Sequence, residues 1–143
     1  MKRFKKEGAE GQEPTKAELA VLQVLWKQGP STVRFVHDAL NEGREAAQYT
    51  TTLKLMQLMT EKGMLLRDES SMKHVYSAAL EEKGTKGQLL NRFIDTMYHG
   101  SVTNMMLALL GNEKTSEKDL QQVRDMLDEM TNADPSEGSG KKK

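Results

Sequence analysis

Between Ala47 and Ser77 the chain joins a Thr-opened helical repeat directly to a hydrophobic two-stranded hairpin with a polar, cationic tip, and few architectures accommodate that pair. In Tyr49-Thr50-Thr51-Thr52-Leu53-Lys54-Leu55-Met56-Gln57-Leu58-Met59, the side chains of Thr52, Leu55, Met56 and Met59 recur at i, i+3, i+4 and i+7. That spacing makes one buried stripe on a helix. The opposite face carries Thr50, Thr51, Lys54 and Gln57, short hydrogen-bonding groups and a single positive charge. Lys62-Gly63 closes the helix with a glycine suited to the left-handed position after it. Met64-Leu65-Leu66-Arg67 and His74-Val75-Tyr76-Ser77 then read as two strands joined by a loop from Asp68 to Lys73.

Two further helices precede this unit. Thr15-Lys16-Ala17-Glu18 is a T-x-x-E capping box, opening a helix that runs to Gln28 and buries Leu19, Leu22, Leu25 and Trp26 before Gly29-Pro30 stops it. A second helix, capped by Thr32 or Ser31, buries Val33, Val36 and Leu40 and stops at Gly43. Helix, helix, helix and hairpin is the winged-helix arrangement, in which a polar face on the last helix suits a DNA major groove.

The second half reads as helix throughout. Glu81-Glu82 opens it, with negative charge matching the helix dipole. Leu90, Phe93, Ile94 and Met97 form one stripe that ends at His99-Gly100. Ser101 caps a short helix bearing Val102, Met105, Met106 and Leu109, which ends at Gly111. Ser116-Glu117-Lys118-Asp119 opens a last helix carrying Leu120, Val123, Leu127 and Met130. Three amphipathic helices totalling ~50 residues are too few to close a stable core alone. Pairing with a second copy would complete it. The plainer alternative is that the stripes pack back on the first domain of a monomer.

The expected class is therefore mainly α with a small β-hairpin wing. A winged helix-turn-helix domain spans 14–80 and an α-helical dimerisation domain 81–130, flanked by a disordered arm (1–13) and tail (131–143). No apolar run approaches the ~18 residues of a membrane span, and the basic Lys2, Arg3, Lys5 and Lys6 are followed by no apolar signal region. Membrane insertion is not expected, and a cytoplasmic location fits. The absence of cysteine excludes disulfides, zinc fingers and thiolate metal sites. His37, His74 and His99 have no ligand spacing, so neither a metal nor another cofactor is expected. Without a P-loop, G-x-S-x-G, HExxH or G-x-G-x-x-G motif, the chain does not read as an enzyme.

Charge tempers the DNA reading. The formal net charge is zero, and seven of the 21 basic residues lie in the two tails. Between Thr15 and Leu80 there are 8 basic and 7 acidic residues. Each domain's attraction for phosphate is then small, which favours two copies binding together. The same neutrality supports an alternative function, a winged-helix module that binds protein and does not bind DNA specifically.

The chain resembles the BlaI/MecI/CopY (penicillinase repressor) family of bacterial transcriptional regulators from about Thr15 to Met130. The residues that carry the likeness are Thr15-Lys16-Ala17-Glu18-Leu19-Ala20-Val21-Leu22 with Leu25-Trp26, Tyr49-Thr50-Thr51-Thr52-Leu53, Glu61-Lys62-Gly63-Met64-Leu65, and Phe93-Ile94-Asp95 with Gly100-Ser101. The resemblance implies a homodimeric repressor that binds a palindromic double-stranded DNA operator. In penicillinase-type members repression is relieved when a membrane-bound zinc metalloprotease cleaves the dimerisation domain; alignment with them places the bond near Ala108-Leu109. Copper-sensing members use C-terminal cysteines, which this chain lacks. It also carries Leu58 where many members have Arg near the end of the recognition helix.

The residues expected to meet DNA are Gln48, Thr50, Thr51, Lys54 and Gln57 on the helix, with Arg67, Lys73 and His74 on the wing. Thr can bond phosphate or touch a thymine methyl, Gln pairs with adenine, and Lys with guanine or phosphate. On an arbitrary helix such a face would be merely solvated; its place before a hairpin is what favours DNA. Dimerisation is assigned to Leu90, Phe93, Ile94, Met97, Val102, Met106, Leu109, Leu120, Val123 and Leu127.

Overall fold

A computed structural model describes residues 13–42 and 48–132. Helix α1 (Lys16–Gln28) opens on the expected capping box. Thr15 Oγ1 accepts from the Glu18 backbone N–H at 3.2 Å, and the Thr15 N–H donates to Glu18 Oε1 at 2.9 Å. It ends at Gly29, whose φ of +88° lies where only glycine is unstrained. Its buried stripe is Glu18, Val21, Leu22 and Leu25. Leu19 and Trp26, expected inside, are half-buried. Trp26 stays near the surface because its indole N–H donates to the Leu80 carbonyl at 2.9 Å.

Helix α2 (Val33–Asn41) is capped by Thr32, whose Oγ1 accepts from the Phe35 N–H at 3.2 Å. Ser31 instead pairs with Tyr76 through two backbone bonds of 2.9 and 2.8 Å, fastening the hairpin to the start of α2. Helix α2 ends at Asn41, and the expected stop at Gly43 lies outside the described residues. Helix α3 (Tyr49–Glu61) follows Gln48 and is closed by Lys62 and by Gly63 at φ +85°. Thr52, Met56 and Met59 are buried as expected, and Leu55 is half-buried against the core.

Strands β1 (Leu65–Asp68) and β2 (Val75–Ala78) pair antiparallel, with Leu65 opposite Ala78 and Arg67 opposite Tyr76. Both strands sit one residue later than expected from the sequence. Met64 is held to the end of α3 by its N–H bond to the Met59 carbonyl (2.9 Å), so the ladder starts at Leu65 and His74 remains in the loop. One continuous core joins Val21, Leu22, Leu25, Val36, Met56, Met59, Met64, Leu65 and Tyr76, with Leu40 half-buried beside it.

Helix α4 (Glu82–Tyr98) ends on two left-handed residues, His99 and Gly100. Helix α5 (Val102–Leu110) is capped by Ser101 and stops at Gly111. Helix α6 (Glu117–Asn132) starts with Ser116 and Asp119 exchanging bonds of 3.0 and 3.1 Å. It runs through Thr131 and Asn132, two residues past the expected start of the disordered tail; the rest of that tail, and the arm up to residue 12, lie outside the described residues. The chain divides into two compact units between Leu90 and Asn91. Among the described residues, every extensive packing of one element on another lies in the first unit.

Candidate nucleic-acid interface

The 3.6-residue repeat of α3 turns two faces to two environments. With Thr52, Met56 and Met59 committed to the core, Thr50, Thr51, Lys54 and Gln57 are all exposed, and Gln48 is exposed beside them at the N-terminal end. Gln48 makes no side-chain cap bond, so the start of α3 is closed by backbone alone: the Thr51 N–H reaches the Gln48 carbonyl at 3.0 Å.

Polar contacts fix α3 against α2. Thr52, 4% exposed, places Oγ1 2.8 Å from His37 Nδ1. The Asn41 amide nitrogen lies 3.2 Å from the same Nδ1 and donates to the His37 carbonyl at 2.7 Å. An amide nitrogen only donates, so the contact from Asn41 requires Nδ1 to act as an acceptor. The Tyr49 ring stands edge-on to His37 at 5.7 Å. At the other end of α3, Lys62 Nζ donates to Glu18 Oε2 at 2.6 Å.

The wing residues differ in how free their charge is. Arg67 Nε lies 2.6 Å from Glu69 Oε2. Hydrogen bonding with the Tyr76 side chain, then the Glu69 charge, raises the guanidinium above its ordinary pKa and holds it protonated. To meet a phosphate Arg67 must compete with Glu69. The Ser70 N–H donates to Asp68 Oδ1 at 2.9 Å, and hydrogen bonds from Ser70 lower the Asp68 carboxyl. These bonds, with Ser71 Oγ donating to the Lys73 carbonyl at 2.8 Å, shape the loop on which Lys73 and His74 are exposed.

Sequence reasoning missed three features here. Glu18 is buried and paired with a residue 44 positions away. The neutralisation of Arg67 by Glu69 was visible as a charge two residues on. Arg34 sits over the Tyr49 ring, a contact between helices that no local spacing reveals.

In the second unit the expected dimerisation residues form exposed apolar stripes. Phe93 is 47%, Met97 57%, Leu109 47% and Leu127 51% exposed, and Val102, Met106 and Val123 are exposed with them, as is Leu90, the last residue of the first unit. Ile94 is buried and Leu120 half-buried. Ala108 and Leu109 are exposed on α5. No group of three or more potential metal ligands occurs among the described residues.

The penicillinase repressor family model matches residues 14–129. Over 116 residues the chain is 25% identical to a penicillinase repressor of Bacillus licheniformis, covering 81% of this chain and 90% of that one. It is 21% identical over 115 residues to a penicillinase repressor of Staphylococcus aureus, covering 80% and 90%. A transcriptional regulator BlaI of Mycobacterium tuberculosis is 38% identical over 61 residues, 42% of this chain and 44% of its own.

Proposed function

The chain belongs to the penicillinase repressor family, and on that footing we propose that it is a homodimeric transcriptional repressor that binds a palindromic DNA operator. Penicillinase repressors are transcriptional regulators and not enzymes. The observation that carries the DNA reading is the exposed face of Thr50, Thr51, Lys54 and Gln57, opposite a fully committed core stripe and directly before a hairpin. Helix α3 lies in the major groove, with Gln48 at its N-terminal end. Lys73 and His74 reach phosphates from the wing, and Arg67 joins them when it leaves Glu69.

The exposed stripes of α4, α5 and α6 support the dimer. Runs of half-exposed Phe, Leu and Met with no extensive packing on one another leave apolar area that a second copy would cover. Two copies also supply the bivalent gain that a neutral chain needs for useful affinity.

Release of repression is proposed to follow cleavage near Ala108-Leu109 by a membrane-bound zinc metalloprotease. Cutting there removes α6 and part of α5 from the pairing surface. The repressor itself is proposed to act in the cytoplasm, where its operator would lie. No helix among the described residues is long and apolar enough to cross a membrane.

A gel shift with the DNA upstream of the chain's own gene tests the reading, with an unrelated duplex as control. Retardation of the first at concentrations that spare the second is expected. Equal affinity for both would favour a module that does not bind DNA specifically.

A further inference from the structure

Arg34 projects from the first turn of α2, and its guanidinium carbon lies 4.3 Å from the centroid of the Tyr49 ring. Tyr49 is the first residue of α3, half-buried on the core and steadied by the His37 ring. A fixed aromatic face therefore holds a planar cation at the end of α3 that presents Thr50 and Thr51. The Arg34 pair with Asp38 is long, 3.9 Å, and both side chains are more than 60% exposed. Water screens such a pair, and it holds the guanidinium weakly.

We infer that Arg34 is a DNA-phosphate contact, an inference that rests on the DNA reading above. In helix-turn-helix docking the N-terminal residues of the recognition helix enter the major groove while the preceding helix crosses the backbone. Arg34 stands on that preceding helix, beside that N-terminus. The guanidinium lies over the ring, and its N–H groups meet Asp38 only at 3.9 Å, which leaves them able to match phosphate bidentately. The site also supplies a charge that is scarce nearby among the described residues. Lys54 is the single cation of α3, Lys62 is bound to Glu18, and Arg67 is paired with Glu69.

The test measures binding against salt concentration, using a duplex selected by the wild-type chain from a randomised library and, in parallel, calf-thymus DNA. Arg34→Ala should make the log–log salt slope shallower by about 0.9 per lost contact, hence about 1.8 for a dimer. It should weaken the selected and the bulk DNA alike, as a phosphate contact does. Arg34→Lys should restore most of the slope. If Arg34→Ala leaves the slope unchanged, or lowers affinity without altering it, the inference is overturned and the residue only steadies α2 against α3. In that case a loss of selected-duplex affinity in Lys54→Ala shows that the DNA reading itself still stands. A wild-type chain that selects no duplex overturns both.

Discussion

Glu18 and Lys62, 44 residues apart, meet at 2.6 Å and tie the first turn of α1 to the end of α3. The same carboxylate closes the capping box through Oε1, so one side chain starts one helix and anchors another. Orientation of the proposed recognition helix thus draws on a polar contact at the edge of the core.

The pair makes stability depend on pH with a definite sign. Burial acts to raise the Glu18 carboxyl, but hydrogen bonds from Lys62 and Thr15 and the Lys62 charge outweigh it, leaving the pKa below 4.5. A depressed folded-state pKa gives stability that is present above the unfolded value and lost as pH falls through the folded one. In Lys62→Met the burial penalty stands without its main compensation, so the buried carboxylate destabilises at neutral pH and is relieved by protonation. Since Lys62 is 37% exposed, the cost at pH 7 should be about 1–3 kcal/mol, below the range for a fully buried pair. Urea melts should show the gap between variant and wild type narrowing from pH 7 to pH 4; a gap that widens on acidification would contradict this account.

Lys54→Ala should weaken operator binding with little change in melting temperature, because the side chain lies off the buried stripe. A lost base contact costs ~1–3 kcal/mol and relaxes one operator position, whereas a lost phosphate contact weakens all sequences alike. Footprints should show half-sites about 34–36 Å apart, so that both recognition helices share one face of the duplex. Unchanged affinity in both Thr51→Ala and Lys54→Ala would remove α3 from the interface.

Phe93 offers a second kind of test. In one chain it is half-exposed, with an edge-on contact to Tyr98 at 5.9 Å. Its truncation should therefore cost less within the chain than the ~3–5 kcal/mol of a buried aromatic. The loss should appear in association, where a central aromatic typically contributes ~2 kcal/mol or more. Sedimentation should find the wild type dimeric at micromolar concentration and Phe93→Ala shifted toward monomer. A wild-type monomer would defeat the dimer proposal.

Local signals account for what the sequence disclosed. The Thr15–Glu18 box, the Ser101 cap, the left-handed Gly63 and the helix stop at His99-Gly100 each depend on residues within a turn of one another, and each formed as expected. What stayed hidden was non-local. The charge of Glu18 reads as a capping device until Lys62 is brought beside it, and Ser31 reads as a cap until Tyr76 claims its backbone. Trp26 reads as core until Leu80 supplies a carbonyl for its indole N–H. The α3 face was legible because periodicity alone separates it from the core stripe. Arg34 was not, because its aromatic partner lies across a connection between helices.

The proposed cleavage at Ala108-Leu109 has a conformational requirement. A protease binds its substrate extended, yet this bond lies inside α5, and the Gly111 and Asn112 N–H groups bond the Ala108 and Leu109 carbonyls at 3.2 and 3.1 Å. The end of the helix must open first, and such local opening sets the cleavable population. Gly111 loosens that end: its φ of −96° suits any L-residue, and no atom lies within 4 Å of where a Cβ would stand. Gly111→Ala should therefore stabilise the closed end by about 0.4–1 kcal/mol, which is roughly a two- to fivefold smaller open population. Intact-mass measurements after induction, in cells carrying the cognate protease, should show cleavage slowed by that factor while operator affinity is unchanged. Full derepression with the wild-type chain uncut would rule out release by proteolysis. Equal cleavage rates in the two proteins would show that the bond is reached without opening of this helix end.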